Sequence, residues 1–148
     1  MKDFTHLLVP TDFGSASGEA VELAIALASS LGAKLTLLHT WEIPAYPYMD
    51  YVASTGDLTT EIENAAAKAL ADALAVVKTQ IPDAAAVLRV GAPWQQVIDS
   101  VGELGVDLVV MGTHGRRGLS HHLLGSVAEK VVRLCPVPVL TVRGKSAA

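Results

Sequence analysis

The stretch DLVVMGTHGRRGLSHHLLGSVAEKVVRLCPVPVLTVR, Asp107 to Arg143, decides the fold. It opens on an apolar run, Asp107 to Met111, short enough for a strand buried on both faces. A glycine-rich loop follows, and Gly125-Ser126 opens a helix predicted over Ser126–Leu134. Pro136 and Pro138 then lead into a last strand, Val137 to Val142. Strand, loop, helix and strand in that order form a crossover unit, which is right-handed and makes its two strands parallel.

The same alternation runs back to the N-terminus. His6-Leu7-Leu8-Val9 is an apolar run closed by Pro10. From Ser15 to Leu31, Ala20, Leu23, Ala24, Leu27, Ala28 and Leu31 recur at helical spacing, with Ser15 or Ser17 as the expected cap and Gly32 after the end. Lys34 to Thr40 reads as the second strand, Glu61 to Lys78 as the second helix and Ala85 to Val90 as the third strand. Pro93 suits the first turn of a helix that ends at Gly105. The pattern is α/β: an open parallel sheet of five strands with helices on both faces, in one domain over residues 1–148 with a short tail at 144–148. Residues 41–58 break the alternation. They hold Tyr46, Tyr48 and Tyr51 and show no clean period, which suits a long aromatic loop that either serves a function or tucks its rings over the sheet edge.

Composition narrows the class. Of 148 residues, 51 % are hydrophobic and 18 % charged, so a packed core is expected and disorder is excluded. No apolar run is long enough to span a bilayer, and the start lacks the pattern of a signal peptide. The lone Cys135 has no partner for an intrachain disulfide, which points to the cytoplasm. At the C-terminal end of a helix it suits a small core residue better than a thiolate. The net charge of −4 argues against a general nucleic-acid or membrane-surface binder. It is unevenly spread: residues 1–107 carry 14 Asp/Glu against 5 Lys/Arg, and residues 108–148 carry 6 Lys/Arg against Glu129 alone. The basic end, including Arg116, Arg117, Lys130 and Arg133, is either a solvated face or the seat of an anion.

Geometry gives the anion a place, beside a reading in which the loop glycines only make turns. Ligands of open parallel sheets bind beyond the carboxyl ends of the strands, where chain order reverses. If the first and fourth strands are neighbours, Gly112 to Ser126 faces the turn Pro10-Thr11-Asp12-Phe13-Gly14 there. Gly112 and Gly115 would permit close backbone approach. The helix starting at Gly125-Ser126 would offer free N–H groups and the positive end of its dipole to a phosphate. Neither a GxxxxGK[ST] loop nor a GxGxxG after the first strand occurs, so P-loop NTPases and ordinary dinucleotide dehydrogenases are not expected.

With its frame of Gly112, two residues, Gly115, nine residues, Gly125 and Ser126, the chain resembles the ATP-binding branch of the universal stress protein family, whose pattern is G-x2-G-x9-G-[ST]. LLVPTD at Leu7–Asp12 and LLHT at Leu37–Thr40 resemble that family's first two strands. The resemblance implies a Rossmann-like sheet of order 3-2-1-4-5, a cytoplasmic stress-response regulator binding ATP with or without Mg²⁺, and a homodimer paired through the last strand by Val137, Val139, Leu140 and Val142. It places Pro10 and Asp12, with Thr11 between them, on the adenosine side and Thr40 at the adenine edge. Met111 and Gly112 would lie against the nucleoside, and Gly115, Gly125, Ser126 and Val127 would hold the phosphates. Arg116 and Arg117 join the nucleotide set on charge and position alone. His114 joins it because one histidine of His114, His121 and His122 is expected to contact phosphate or its Mg²⁺. A zinc site is not expected, since the adjacent His121 and His122 point apart and no acidic residue or cysteine completes a set.

Two other readings stand beside the binder. A dedicated ATPase needs a placed base and a held metal, and Asp12 is the sole acidic candidate in the facing loops, so no catalytic residue is assigned. A nucleotide-independent scaffold would instead anchor a protein partner through Tyr46, Tyr48 and Tyr51.

Overall fold

The computed structural model describes residues 3–43, 52–114 and 124–144, with backbone alone at 52–57. The elements run β1 (His6–Pro10), α1 (Ser15–Leu31), β2 (Lys34–Trp41), α2 (Val52–Lys78), β3 (Ala85–Val90), α3 (Pro93–Leu104), β4 (Leu108–Gly112), α4 (Ser126–Leu134) and β5 (Val139–Val142). The sheet is parallel throughout, in the order β3-β2-β1-β4-β5.

Two-residue alternation along the central strands feeds two cores. Leu7, Val9, Leu37 and Val110 pack with Ala24 of α1 and Leu70 of α2 on one face. Leu8, Leu38, Val109 and Met111 pack with Val97 of α3 and Val131 of α4 on the other. Burial on both sides explains why these strands read as continuous apolar runs. Helices α1 and α3 end where Gly32 and Gly105 turn left-handed, at φ 65° and 69°, and their N–H groups bond Ala28 O and Val101 O.

Several boundaries differ from the sequence reading: β1 includes Pro10, and β4 spans Leu108–Gly112 rather than Asp107–Met111. Helix α2 begins at Val52 rather than Glu61, so residues 52–58 of the expected aromatic loop are helical and Trp41 closes β2. Residues 44–51, with all three tyrosines, lie outside the described residues. Helix α1 is capped by neither serine. Its N-cap is Gly14, and Ser17 Oγ lies 2.9 Å from Asp12 Oδ1 and 3.1 Å from Gly14 O. Strand β5 starts at Val139, because Pro138 has no N–H to give the ladder and only accepts, from Val109 N–H at 3.0 Å.

The amino ends of β1 and β4 are clamped together by Asp107. Its carboxylate accepts from Thr5 N–H, Thr5 Oγ1 and His6 N–H at 2.8–3.1 Å, fastening β1 to β4. Next to it, His6 Nε2 shares a 2.8 Å hydrogen bond with Thr36 Oγ1. Burial, more than any neighbouring charge, holds the His6 imidazole below its ordinary 6.5. The unfolded chain then binds the proton first, so stability present above pH 6.5 declines as pH falls below it toward the folded value. Urea midpoints measured from pH 7.5 to 5 should therefore fall, and His6→Gln should flatten that slope while keeping a group to meet Thr36. Equal slopes in both proteins would remove His6 as the cause.

Candidate functional site

Strands β1 and β4 are neighbours, and their following helices leave toward opposite faces, so a crevice opens at their carboxyl ends. The turn after β1 and the start of α4 border it.

The first wall is a tightly bonded turn. Thr11 N–H donates to Leu38 O at 2.8 Å, fixing the exit of β1 to β2. Asp12 Oδ1 accepts from Gly14 N–H at 2.8 Å as well as facing Ser17 Oγ, an arrangement that caps α1 from outside the helix. Thr11 Oγ1 accepts from Phe13 N–H at 3.1 Å and lies 3.2 Å from Ser17 Oγ. Phe13 has φ 64°, the left-handed region that a bulky residue enters only when its surroundings hold it there. His39 Nδ1 donates to Thr11 O at 2.7 Å, and its ring lies 4.4 Å from that of Phe13.

The second wall joins β4 to α4. Gly125 N–H donates to Thr113 O at 2.7 Å, and Thr113 N–H donates to Val142 O at 2.9 Å, so the helix start is hung on the strand exit. Gly125 is the N-cap and carries no side chain to cap the first turn; the first bond into the helix is Glu129 N–H to Gly125 O at 2.9 Å. The first-turn N–H groups of Ser126, Val127 and Ala128 therefore form an anion-accepting end. Lys130 lies over the ring of Trp94 at 5.0 Å and ties α4 to α3. His114 shares a 3.0 Å bond between its Nδ1 and Thr113 Oγ1, and its buried Nε2 has no partner among the described residues.

Of the residues expected at the site, Pro10, Thr11, Asp12, Thr40, Gly112, His114, Gly125 and Ser126 come to this edge of the sheet. Two expected residues, Gly112 and Met111, also pack against the fold itself. The close approach that Gly112 permits is to α1: a Cβ there would lie 2.9 Å from the backbone carbon and Cβ of Ala16. Met111 is 5 % exposed and its side chain belongs to the core with Leu8, Val109 and Val131, which leaves its backbone for any ligand. Val127 is half-buried against that core. Gly115, Arg116, Arg117, His121 and His122 lie outside the described residues. The sequence reading does not single out Phe13 and marks Ser17 only as a candidate helix cap. No local signal marks an aromatic residue for positive φ, but Asp12 two places before Gly14 is a recognisable turn signature.

At the far edge, β5 pairs with β4 alone. Val137 and Val139 pack on the α3–α4 core, Val142 on the α1–α2 core, and Leu140 is 37 % exposed. Cys135 is a free thiol at the end of α4, packed against the core beside Val137. No helix among the described residues is long and apolar enough to cross a membrane.

Comparison with known proteins gives a consistent answer. The sequence profile of the Universal stress protein family matches residues 3–143. Universal stress protein YxiE of Bacillus subtilis is 29% identical over 154 residues, covering 95% of this chain and 99% of that protein. The solved structure of UspA from Lactobacillus plantarum superposes with a TM-score of 0.84 at 25% identity, covering 97% of this chain and all of the other. A universal stress protein solved in complex with cAMP superposes at 0.69 with 26% identity over 97% of this chain and 100% of that one.

Proposed function

This chain belongs to the universal stress protein family, and from that premise we propose that it binds adenine nucleotides, ATP in particular, as a regulatory protein and not as an enzyme. The observation that carries the proposal is the uncapped start of α4, hung from β4 by the 2.7 Å bond from Gly125 N–H to Thr113 O. It presents the last glycine and serine of G-x2-G-x9-G-[ST] to the crevice beside the Asp12 turn. The cAMP complex of a relative at 26% identity supports an adenine ligand for the fold's crevice. ATP is favoured over smaller adenylates by the complete glycine frame, and the basic Arg116 and Arg117 of the loop add charge for its outer phosphates. Mg²⁺ would accompany those phosphates.

Regulation is favoured over hydrolysis because Asp12, the acidic residue of the turn, already accepts from Gly14 N–H and lies beside Ser17 Oγ. A base for water attack would need that carboxylate aimed at a γ-phosphate. A homodimer paired through β5 completes the proposal. The edge position of β5 and the exposed Leu140 of β5 and Val132 and Leu134 of α4 support it. A cytoplasmic setting agrees with the free Cys135.

Thermal unfolding of nucleotide-stripped protein tests the ligand. At about 100 times its dissociation constant, ATP should add about 2.7 kcal/mol, a rise of roughly 5–10 °C in a domain of this size. A rise with AMP or cAMP and none with ATP would move the assignment to those ligands. No rise with any of the three at millimolar concentration would overturn it.

A further inference from the structure

We infer that His39 is a positioning residue of the nucleotide site, holding the Asp12 turn in its ligand-ready shape from the neighbouring strand. The inference rests on the nucleotide reading above and extends it to a residue outside the glycine frame.

Asp12 sits between two residues that His39 grips at once. On one side, His39 Nδ1 donates to Thr11 O at 2.7 Å. A carbonyl can only accept, so Nδ1 carries the proton and the tautomer is fixed. On the other side, the imidazole meets the Phe13 ring at 4.4 Å between centroids, tilted by 46°. Phe13 is the residue at φ 64°, where a side chain of its size needs outside support. The bonds within this turn from Phe13 N–H, Gly14 N–H and Ser17 Oγ span six residues or fewer, whereas His39 is 28 residues away from Thr11. With Thr11 N–H bonded to Leu38 O at 2.8 Å, both backbone groups of Thr11 are tied to β2. The next residue of β2 is Thr40, the expected adenine edge. His39 thereby couples Thr40 to the Asp12 turn, so that these two parts of the first wall meet a nucleotide as one rigid unit.

Substitutions separate the two grips. His39→Phe keeps a ring for Phe13 and removes the donor. His39→Asn removes the ring and places an amide N–H near the position of Nδ1. Calorimetric titration with ATP, and in parallel with AMP, should show His39→Phe weakened about tenfold and His39→Asn within about threefold of wild type. Should His39→Phe not fold, His39→Ala serves in its place, with the same tenfold loss expected. Asp107→Asn, at the opposite end of the sheet, controls for stability: its melting temperature should fall while its nucleotide affinity stays unchanged. Wild-type affinity in His39→Phe or His39→Ala would overturn the inference, as would an equal loss in His39→Asn. Wild-type protein that binds neither nucleotide would overturn the nucleotide reading and this inference together.

Discussion

Gly112→Ala should lower the melting temperature by several degrees, although the change adds one methyl group at the end of a strand. A Cβ on Gly112 would stand 2.9 Å from the backbone carbon of Ala16 and 3.1 Å from its carbonyl oxygen. Those atoms belong to the first turn of α1 and cannot swing aside as a flexible side chain would. Gly144 also lies close to Ala16, and a Cβ there would come within 3.1 Å of the Ala16 Cα. A shift of the first turn of α1 passes the strain to the bonded turn at Asp12, Gly14 and Ser17. Overpacking of this kind costs about 1–3 kcal/mol, or roughly 2–10 °C of melting temperature. Gly112→Val should cost more. Ala16→Gly in the Gly112→Ala background should restore only part of the loss, because the backbone contact remains and an interior helical glycine itself costs about 0.5–1 kcal/mol. Thermal unfolding of the three variants checks this, and a Gly112→Ala protein melting with the wild type would show that α1 yields freely.

Periodicity and punctuation carried most of the fold. Helix α1 over Ser15–Leu31, α4 over Ser126–Leu134 and β3 over Ala85–Val90 match their sequence patterns end to end. Strand order does not follow from periodicity, and 3-2-1-4-5 came from the family resemblance; the sheet has that order. The start of α2 escaped because Ser54, Thr55, Gly56, Thr59 and Thr60 are weak helix formers, so intrinsic preference there opposed the helix that forms. The site divides along similar lines. Residues that a motif names, such as Asp12 and Gly125, were legible. The contacts of His39 with Thr11 and Phe13 were not, since they join residues 28 and 26 apart through a turn whose left-handed residue is a phenylalanine. Gly112 was legible as a close approach, but its contact with α1 at Ala16 needed the packing.

Gly125→Val should leave the fold standing and weaken ATP binding by at least about a hundredfold. The two glycines differ in what requires them. At Gly112 the requirement is internal. At Gly125 the backbone has φ −60° and ψ 161°, a conformation open to any residue and comfortable for a β-branched one. Its N–H bond to Thr113 O needs only the main chain. Neither dihedral nor hydrogen bond calls for glycine, and the nucleotide reading assigns the absent side chain to the ligand at the end of α4. On that reading the ligand group there is phosphate, drawn against the N–H groups of Ser126 and Val127 where an isopropyl group would hold it off. A hundredfold loss corresponds to about 2.7 kcal/mol, the scale expected when charge-assisted bonds to N–H groups are broken. The informative measurement pairs affinity with melting temperature: an unligated melt within about 2 °C of wild type and a collapsed ATP affinity would assign Gly125 to the ligand. Unchanged affinity in a well-folded Gly125→Val protein would remove the start of α4 from the phosphate site. Loss of the fold itself would mean that this glycine, like Gly112, serves the packing of the chain against itself.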